Sequence, residues 1–151
     1  MTKLKVGERF PEIEATGLAG GISTGGLKGK NAVVYFYPKD NTPGCTKEAK
    51  DFRDYKENFD ALNTEIIGIS MDSMKSHEGF AQRYDLNFNL VSDPDKTICT
   101  KCGVVGLTGK TARRTTFLID RDGVIRNIWE RVDVDGHAED VLTKMKDLNL
   151  G

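Results

Sequence analysis

The chain contains three cysteines, set in two different kinds of surroundings. Cys45 ends the run Pro38-Lys39-Asp40-Asn41-Thr42-Pro43-Gly44-Cys45, whereas Cys99 and Cys102 stand three apart in Ile98-Cys99-Thr100-Lys101-Cys102. A thiol reacts as its thiolate, and a free pKa of about 8.5 leaves little of that form at neutral pH, so a reactive cysteine needs something to stabilise the anion. After Gly44, apolar residues recur at Ala49, Phe52, Tyr55, Phe59 and Leu62, spacings of three and four that predict an amphipathic helix with Cys45 at or near its first turn. Unpaired backbone N–H groups and the positive end of the helix dipole would favour a thiolate there. Pro38 and Pro43 stiffen the preceding loop, Thr42 offers a hydroxyl three residues before the sulfur, and Gly44 lets the chain approach a ligand closely. Together they could hold a small oxygen-bearing substrate over Cys45. An odd number of cysteines in a chain of this length also argues for reactive or buried thiols over a disulfide framework.

The elements that would position these residues are legible on either side. At 151 residues the sequence fits one domain spanning 1–151. Gly17, Gly20, Gly21, Gly25 and Gly26 punctuate short apolar pieces around Ile13 and Ile22 and predict an N-terminal hairpin. Residues 32–37, nearly all β-branched or aromatic, predict a strand buried on both faces and halted by Pro38. Strands over 65–71 and 88–91 alternate with a helix over 73–84, and Ser92-Asp93-Pro94-Asp95 would start a short helix carrying Ile98, Cys99 and Cys102, closed by Gly103. Residues 115–120 and 124–130 read as a hairpin and 138–148 as a terminal helix. This α/β alternation implies a mixed sheet with helices on both faces.

The motif Pro38-xxx-Thr42-xx-Cys45, within Tyr37-Pro38-Lys39-Asp40-Asn41-Thr42-Pro43-Gly44-Cys45-Thr46-Lys47-Glu48, resembles the peroxidatic motif of peroxiredoxins, and more narrowly the bacterioferritin comigratory protein or PrxQ group. The similarity runs on through Val6-Gly7, Pro11, Gly68-Ile69-Ser70, Asp93-Pro94 and Phe117-Leu118-Ile119-Asp120-Arg121-Asp122-Gly123. It implies a thioredoxin-like fold with an N-terminal β-hairpin extension. It also implies an antioxidant activity that reduces hydrogen peroxide and alkyl hydroperoxides through a Cys45 sulfenic acid, with no metal or organic cofactor. By the same resemblance Thr42 orients the peroxide, Pro38 shields the sulfur, and the N–H groups at Gly44 and Cys45 contact peroxide oxygen. Arg114 pairs with the thiolate, while strand alternation turns its neighbour Arg113 to the other face. Glu48 and Arg53, one or two turns beyond Cys45, are candidates for a supporting polar network.

The chain departs from the group at one position. Many members carry a resolving cysteine five residues after the first, where this sequence has Lys50, which also fits an engineered change made to trap one state. The sulfenic acid must condense with a thiol before further oxidation. Cys99 is the first candidate within the chain and Cys102 the second, and the remaining route is direct attack by an external thiol such as thioredoxin, glutaredoxin or glutathione.

Other readings compete with this one. Cys99 and Cys102 have the C-x-x-C spacing of a thiol-disulfide oxidoreductase, although Cys99 follows Pro94 by more than a turn, away from a helix start. A non-catalytic binding module on the same fold is a third possibility. A zinc site assembled from Cys45, Cys99, Cys102 and His77 lacks a second ligand pair, so no metal is expected. His77 and His137 show no partner and read as surface residues, and Trp129, Phe52, Tyr55 and Phe59 read as core. With 22 basic and 23 acidic residues, the net charge of −1 disfavours nucleic acid and anionic membranes as partners. No stretch nears the ~20 apolar residues that span a bilayer, and residues 1–17 lack the apolar core of a secretory signal. The expectation is a cytoplasmic monomer or weak homodimer.

Overall fold

A computed structural model describes residues 2–23, 27 and 29–151, so Gly25 and Gly26 of the predicted hairpin lie outside the described residues. The hairpin itself forms from β1 (Glu14–Gly17) and β2 (Gly20–Ser23). β3 (Asn31–Phe36), β4 (Thr64–Ser70) and β5 (Asn89–Ser92) run parallel, and β6 (Thr115–Ile119) and β7 (Ile125–Trp129) complete the other edge antiparallel. The seven strands stand in the order β2-β1-β5-β4-β3-β6-β7, with β1 joined antiparallel to β5. This is a mixed α/β sheet with helices α1 (Pro43–Asp54), α2 (Lys56–Ala61), α3 (Met74–Tyr84), α4 (Thr97–Lys101) and α5 (His137–Asp147).

Successive side chains of a strand point to opposite faces, so the central strands divide the apolar interior in two. Val34, Phe36, Ile67, Ile69 and Phe117 pack with Phe10, Ile98, Cys99 and Cys102 on one face. Val33, Tyr35, Ile66, Leu90 and Leu118 pack with Cys45, Phe52, Phe59, Phe80, Val141 and Met145 on the other. All six residues of β3 are buried, as its β-branched and aromatic run requires. On the second face Tyr35 stacks on Phe52 with ring centroids 4.7 Å apart, and burying a ring of that size stabilises the fold by about 2 to 3 kcal/mol. That stack fixes α1 on β3 and thereby sets the depth of Cys45.

Three expectations need correction. The helix read through residue 62 is two helices, because Tyr55 (φ −100°, ψ 9°) ends α1 by donating to the Asp51 carbonyl and starts α2 by accepting from Asn58 and Phe59. Phe52 and Phe59 still reach one core, which is why the apolar spacing looked continuous. The helix read from Pro94 begins at Thr97 instead. Lys96 adopts a left-handed conformation (φ 65°), Pro94 and Asp95 form a turn, and the Asp93 carboxylate takes over the capping. Cys99 is therefore in the first turn of α4. His77 and His137 are buried, at 0% and 1% exposure, because each ring finds polar partners distant in sequence. Among the described residues no helix is long and apolar enough to cross a membrane.

Candidate active site

The loop from Tyr37 to Thr42 carries the chain from β3 into α1, with Asn41 turned into the left-handed region (φ 62°). Thr42 is the extended N-cap residue (φ −83°, ψ 153°), and its hydroxyl donates to the Lys39 carbonyl at 2.8 Å instead of capping the helix. Pro43 takes the first helical position, where a missing N–H costs nothing. The first helical bond runs from Thr46 N–H to the Thr42 carbonyl, at 2.8 Å. The N–H groups of Gly44 and Cys45 therefore have no carbonyl acceptor within α1, and they open beside the sulfur.

Arg114, immediately before β6, completes the arrangement. Its Nη2 lies 3.3 Å from Cys45 Sγ and its Nη1 donates to Glu48 Oε1 at 2.6 Å. Gly44 leaves room for this approach, since a Cβ there would lie 3.2 Å from Nη2 and push the guanidinium back by a few tenths of an ångström. Cys45 is 1% exposed and Glu48 fully buried. Burial pushes the Glu48 carboxyl up to about 7 against the pull of Arg114. Burial works against the Arg114 charge, but Glu48 and Cys45 together hold the guanidinium above its ordinary range. Polar atoms of Glu48 (Oε2), Thr46 (Oγ1), Thr115 (Oγ1) and Tyr35 (the hydroxyl) are buried without a partner among the described residues. Burial drives the Tyr35 hydroxyl well above its ordinary value, so it remains a neutral phenol.

Cys45, Thr42, Gly44, Glu48 and Arg114 are thus brought together, with Pro38 half-buried at the start of the same loop. Arg53 is turned elsewhere, donating to the Tyr84 carbonyl at 2.7 Å and pairing with Asp54. Arg113 reaches the Gly103 carbonyl at 2.7 Å, away from Cys45. Lys50 is exposed, its ammonium 6.0 Å from the centre of the Tyr84 ring. A groove of about 460 Å³ lined by Pro43, Thr46, Lys50 and Gly136 runs along the outside of α1.

Cys99 and Cys102 belong to the core on the opposite face of the sheet. Both oxygens of the Asp93 carboxylate are used on α4, accepting from Ile98 N–H at 3.0 Å and Cys99 N–H at 2.8 Å. Burial and then Asp93 push the Cys99 thiol far up, and the same causes push Cys102 up to about 12.

Sequence reasoning missed several polar residues around this site. His137 contacts Thr116 Oγ1 at 2.8 Å, and burial followed by the nearby Arg114 charge lowers its pKa to about 4, so the ring is neutral. The buried Asp40 and His77 and the half-buried Asp72 form a cluster directly behind the loop. No local signal marked them, since their partners come from different strands and helices.

The profile of the AhpC/TSA family matches residues 6–128. A Bacillus subtilis peroxiredoxin Bcp is 37% identical over 153 residues, covering 97% of this chain and 98% of that one. A crystal structure of a cysteine-to-serine variant of Xylella fastidiosa PrxQ superposes with a TM-score of 0.91 at 32% identity, covering 97% and 98% of the two chains. The bacterioferritin comigratory protein of Xanthomonas campestris, described in terms of its alkyl peroxide reduction activity, gives a TM-score of 0.84 at 36% identity over 90% of this chain and 91% of that one.

Proposed function

The chain belongs to the AhpC/TSA family as a thioredoxin-fold peroxiredoxin of the Bcp/PrxQ group, an antioxidant thiol peroxidase, and from that premise we propose that Cys45 is its peroxidatic residue. The substrate is a peroxide and the electrons come from a thiol. The Cys45 thiolate attacks the nearer oxygen of ROOH in line, the S–O bond forms as the O–O bond breaks, and RO⁻ leaves to be protonated as ROH. The Thr42 hydroxyl donates its hydrogen bond to the Lys39 carbonyl, so its oxygen is left as an acceptor that orients the hydroperoxide O–H. The N–H groups of Gly44 and Cys45 meet peroxide oxygen, and Pro38 covers the sulfur. Arg114 neutralises thiolate charge and then the charge growing on the departing oxygen. A preorganised donor of this kind lowers a barrier by about 3 to 4 kcal/mol. Hydrogen peroxide and alkyl hydroperoxides both fit, because recognition involves only the two oxygens.

The sulfenic acid then needs a thiol. A disulfide requires Cα atoms within about 7 Å, yet Cys45 packs on one face of the β3 and β4 backbone and Cys99 and Cys102 on the other. That separation, with Lys50 in place of a cysteine one turn along α1, supports an external thiol over Cys99, the first candidate from sequence. Cys45–SOH and RSH give Cys45–S–SR and water, and a second RSH releases Cys45–SH and RSSR. Thioredoxin, glutaredoxin and glutathione are reductants of this class. The same reading takes residues 1–151 as one cytoplasmic domain acting as a monomer or weak homodimer, supported by a sheet whose two faces are covered by the chain's own helices and N-terminal segment.

The observation that carries the reading is the Arg114 guanidinium set 3.3 Å from Sγ over two open helix N–H groups. Intact mass with peptide mapping after one equivalent of peroxide tests it. The expected product is a single added oxygen on Cys45 that persists until an external thiol converts it to a mixed disulfide. An unmodified Cys45 would overturn the peroxidatic assignment, and a Cys45–Cys99 or Cys45–Cys102 link would overturn the external route.

A further inference from the structure

The loop that presents Thr42 and the open N–H groups is held from behind by the buried cluster around Asp40. The Asp40 side chain is 1% exposed. Its Oδ1 accepts from the Tyr37 hydroxyl at 2.6 Å, and its Oδ2 accepts from Ser76 Oγ at 2.8 Å and lies 2.7 Å from His77 Nδ1. Its backbone N–H donates to Asp72 Oδ2 at 2.9 Å, which also accepts from Ser70 Oγ at 2.6 Å. The other ring nitrogen, His77 Nε2, is 3.0 Å from the Val91 carbonyl. A carbonyl cannot donate, so Nε2 carries a proton. The 2.7 Å contact at Nδ1 then holds only if a second proton sits between Nδ1 and Asp40, as imidazolium with carboxylate or as imidazole with carboxylic acid. Burial keeps the Tyr37 hydroxyl well above its ordinary range, so it remains a donor to Asp40. Tyr37 and Ser76 donate to Asp40 and Ser70 donates to Asp72, so the short Nδ1–Asp40 contact is the place for the shared proton.

Resting on the assignment of Cys45 as the peroxidatic residue, we propose that His77 is a positioning residue for the peroxide step: through the proton it shares with Asp40 it clamps the loop of Pro38 and Thr42 to α3 and β5. The clamp joins three elements to one loop residue. His77 and Ser76 come from α3, Ser70 from the end of β4 and Asp72 from the bend that follows it, and the Val91 carbonyl from β5. The titratable side chains facing this group are Tyr37, Asp40, Asp72 and Tyr35, whose ring centroid is 5.5 Å from that of Tyr37. A misplacement of about 1 Å at a reacting centre costs about a hundredfold in rate, so a loop fixed this firmly matters for in-line attack. It matters less for the second half-reaction. Cys45 is 1% exposed, so an external thiol can reach the sulfenic acid only after the first turn of α1 loosens.

The two half-reactions therefore respond differently to His77. Stopped-flow fluorescence of Trp129, the single tryptophan, can follow oxidation by hydrogen peroxide and then reduction by glutathione in the full-length protein. His77→Phe is expected to slow oxidation at least tenfold and to leave the glutathione step within twofold of the parent. His77→Asn, whose side-chain N–H stands where Nδ1–H stood, is expected to restore oxidation to within about threefold. Unchanged oxidation in His77→Phe, or an equal fall in both steps, would overturn the clamp. If His77→Phe does not fold, Tyr37→Phe decides. It removes the hydroxyl that donates to Asp40 Oδ1 and lies 3.4 Å from His77 Nδ1, and slower oxidation with an unchanged glutathione step is expected. Parent protein that consumes no peroxide would instead overturn the assignment of Cys45 itself, so the two failures are distinct.

Discussion

Cys45 and Cys99 occupy the same position in two helices, the third residue after the N-cap, but they face opposite charges: the Arg114 guanidinium at Cys45 and the Asp93 carboxylate at Cys99. In α1 the N-cap is Thr42 and the residues that follow are Pro43, Gly44 and Cys45; in α4 the N-cap is Lys96, followed by Thr97, Ile98 and Cys99. Each cysteine is buried. The N–H groups of the second and third helical residues are open in α1, where a guanidinium faces the sulfur at 3.3 Å. In α4 both are taken by a carboxylate, and the negative charge that satisfies them lies against the thiol. A helix start is thus only a frame. What fills its amides decides whether a thiol there is primed or silenced, and this comparison weakens the oxidoreductase reading of Cys99 and Cys102, which the distance from Pro94 does not, since Cys99 stands in the first turn of α4.

The largest effect should come from removing the group that distinguishes the two sites. Arg114→Ala is expected to slow peroxide reduction by about a hundredfold to a thousandfold, the scale of one preorganised donor, while far-UV circular dichroism stays unchanged. Single-turnover kinetics with hydrogen peroxide measure it, and a near-parental rate would take Arg114 out of the mechanism.

A smaller effect tests the other half of the comparison. Asp93→Asn keeps an acceptor for one α4 N–H but removes the charge beside Cys99. Maleimide labelling of Cys99 should accelerate about tenfold, the equivalent of one pKa unit, and folding stability should fall by about 1.5 to 3 kcal/mol. Burial, the larger cause of the Cys99 shift, is unaffected and keeps the thiol far less reactive than Cys45. Unchanged labelling would assign the silencing of Cys99 to burial alone.

How much of this was legible in the sequence follows from how local each signal is. The buried strand at Val33-Val34-Tyr35, the helix start at Pro43-Gly44-Cys45 and the turn at Asp122-Gly123 are set by neighbours, and they were read from neighbours. The break at Tyr55 was hidden because Phe52 and Phe59 serve one core from two helices. Capping of α4 was half legible: Asp93 was picked out, but as a residue at the helix start and not as a side chain reaching forward to Ile98 and Cys99. The two histidines could not be read as buried, since the ring partners Asp40, Val91 and Thr116 arrive only through the fold. Arg114 was legible through resemblance alone, because a strand-edge arginine carries no mark of what it faces.

The smallest effect concerns how stability responds to pH, where Glu48 and His137, both within the influence of Arg114, oppose each other. Glu48 titrates near 4.5 when unfolded and about 7 when folded, so between those values only the folded state holds its proton, and stability falls as pH rises. His137 titrates near 6.5 when unfolded and about 4 when folded. Over that window only the unfolded state holds the proton, and stability rises with pH. Each contribution amounts to about 3 kcal/mol, so the parent protein should show a nearly flat denaturation midpoint between pH 4.5 and 6.5. Glu48→Gln should expose the rising slope and His137→Gln the falling one. If the Glu48→Gln profile is as flat as the parent, the carboxyl is not holding a proton in the folded state, and the guanidinium is shared between two anions even in mild acid. Peroxide reduction in the parent should then show no ionisation near pH 7 that Glu48→Gln abolishes; if such an ionisation is present and lost in that variant, the charge available to the Cys45 thiolate is set by Glu48.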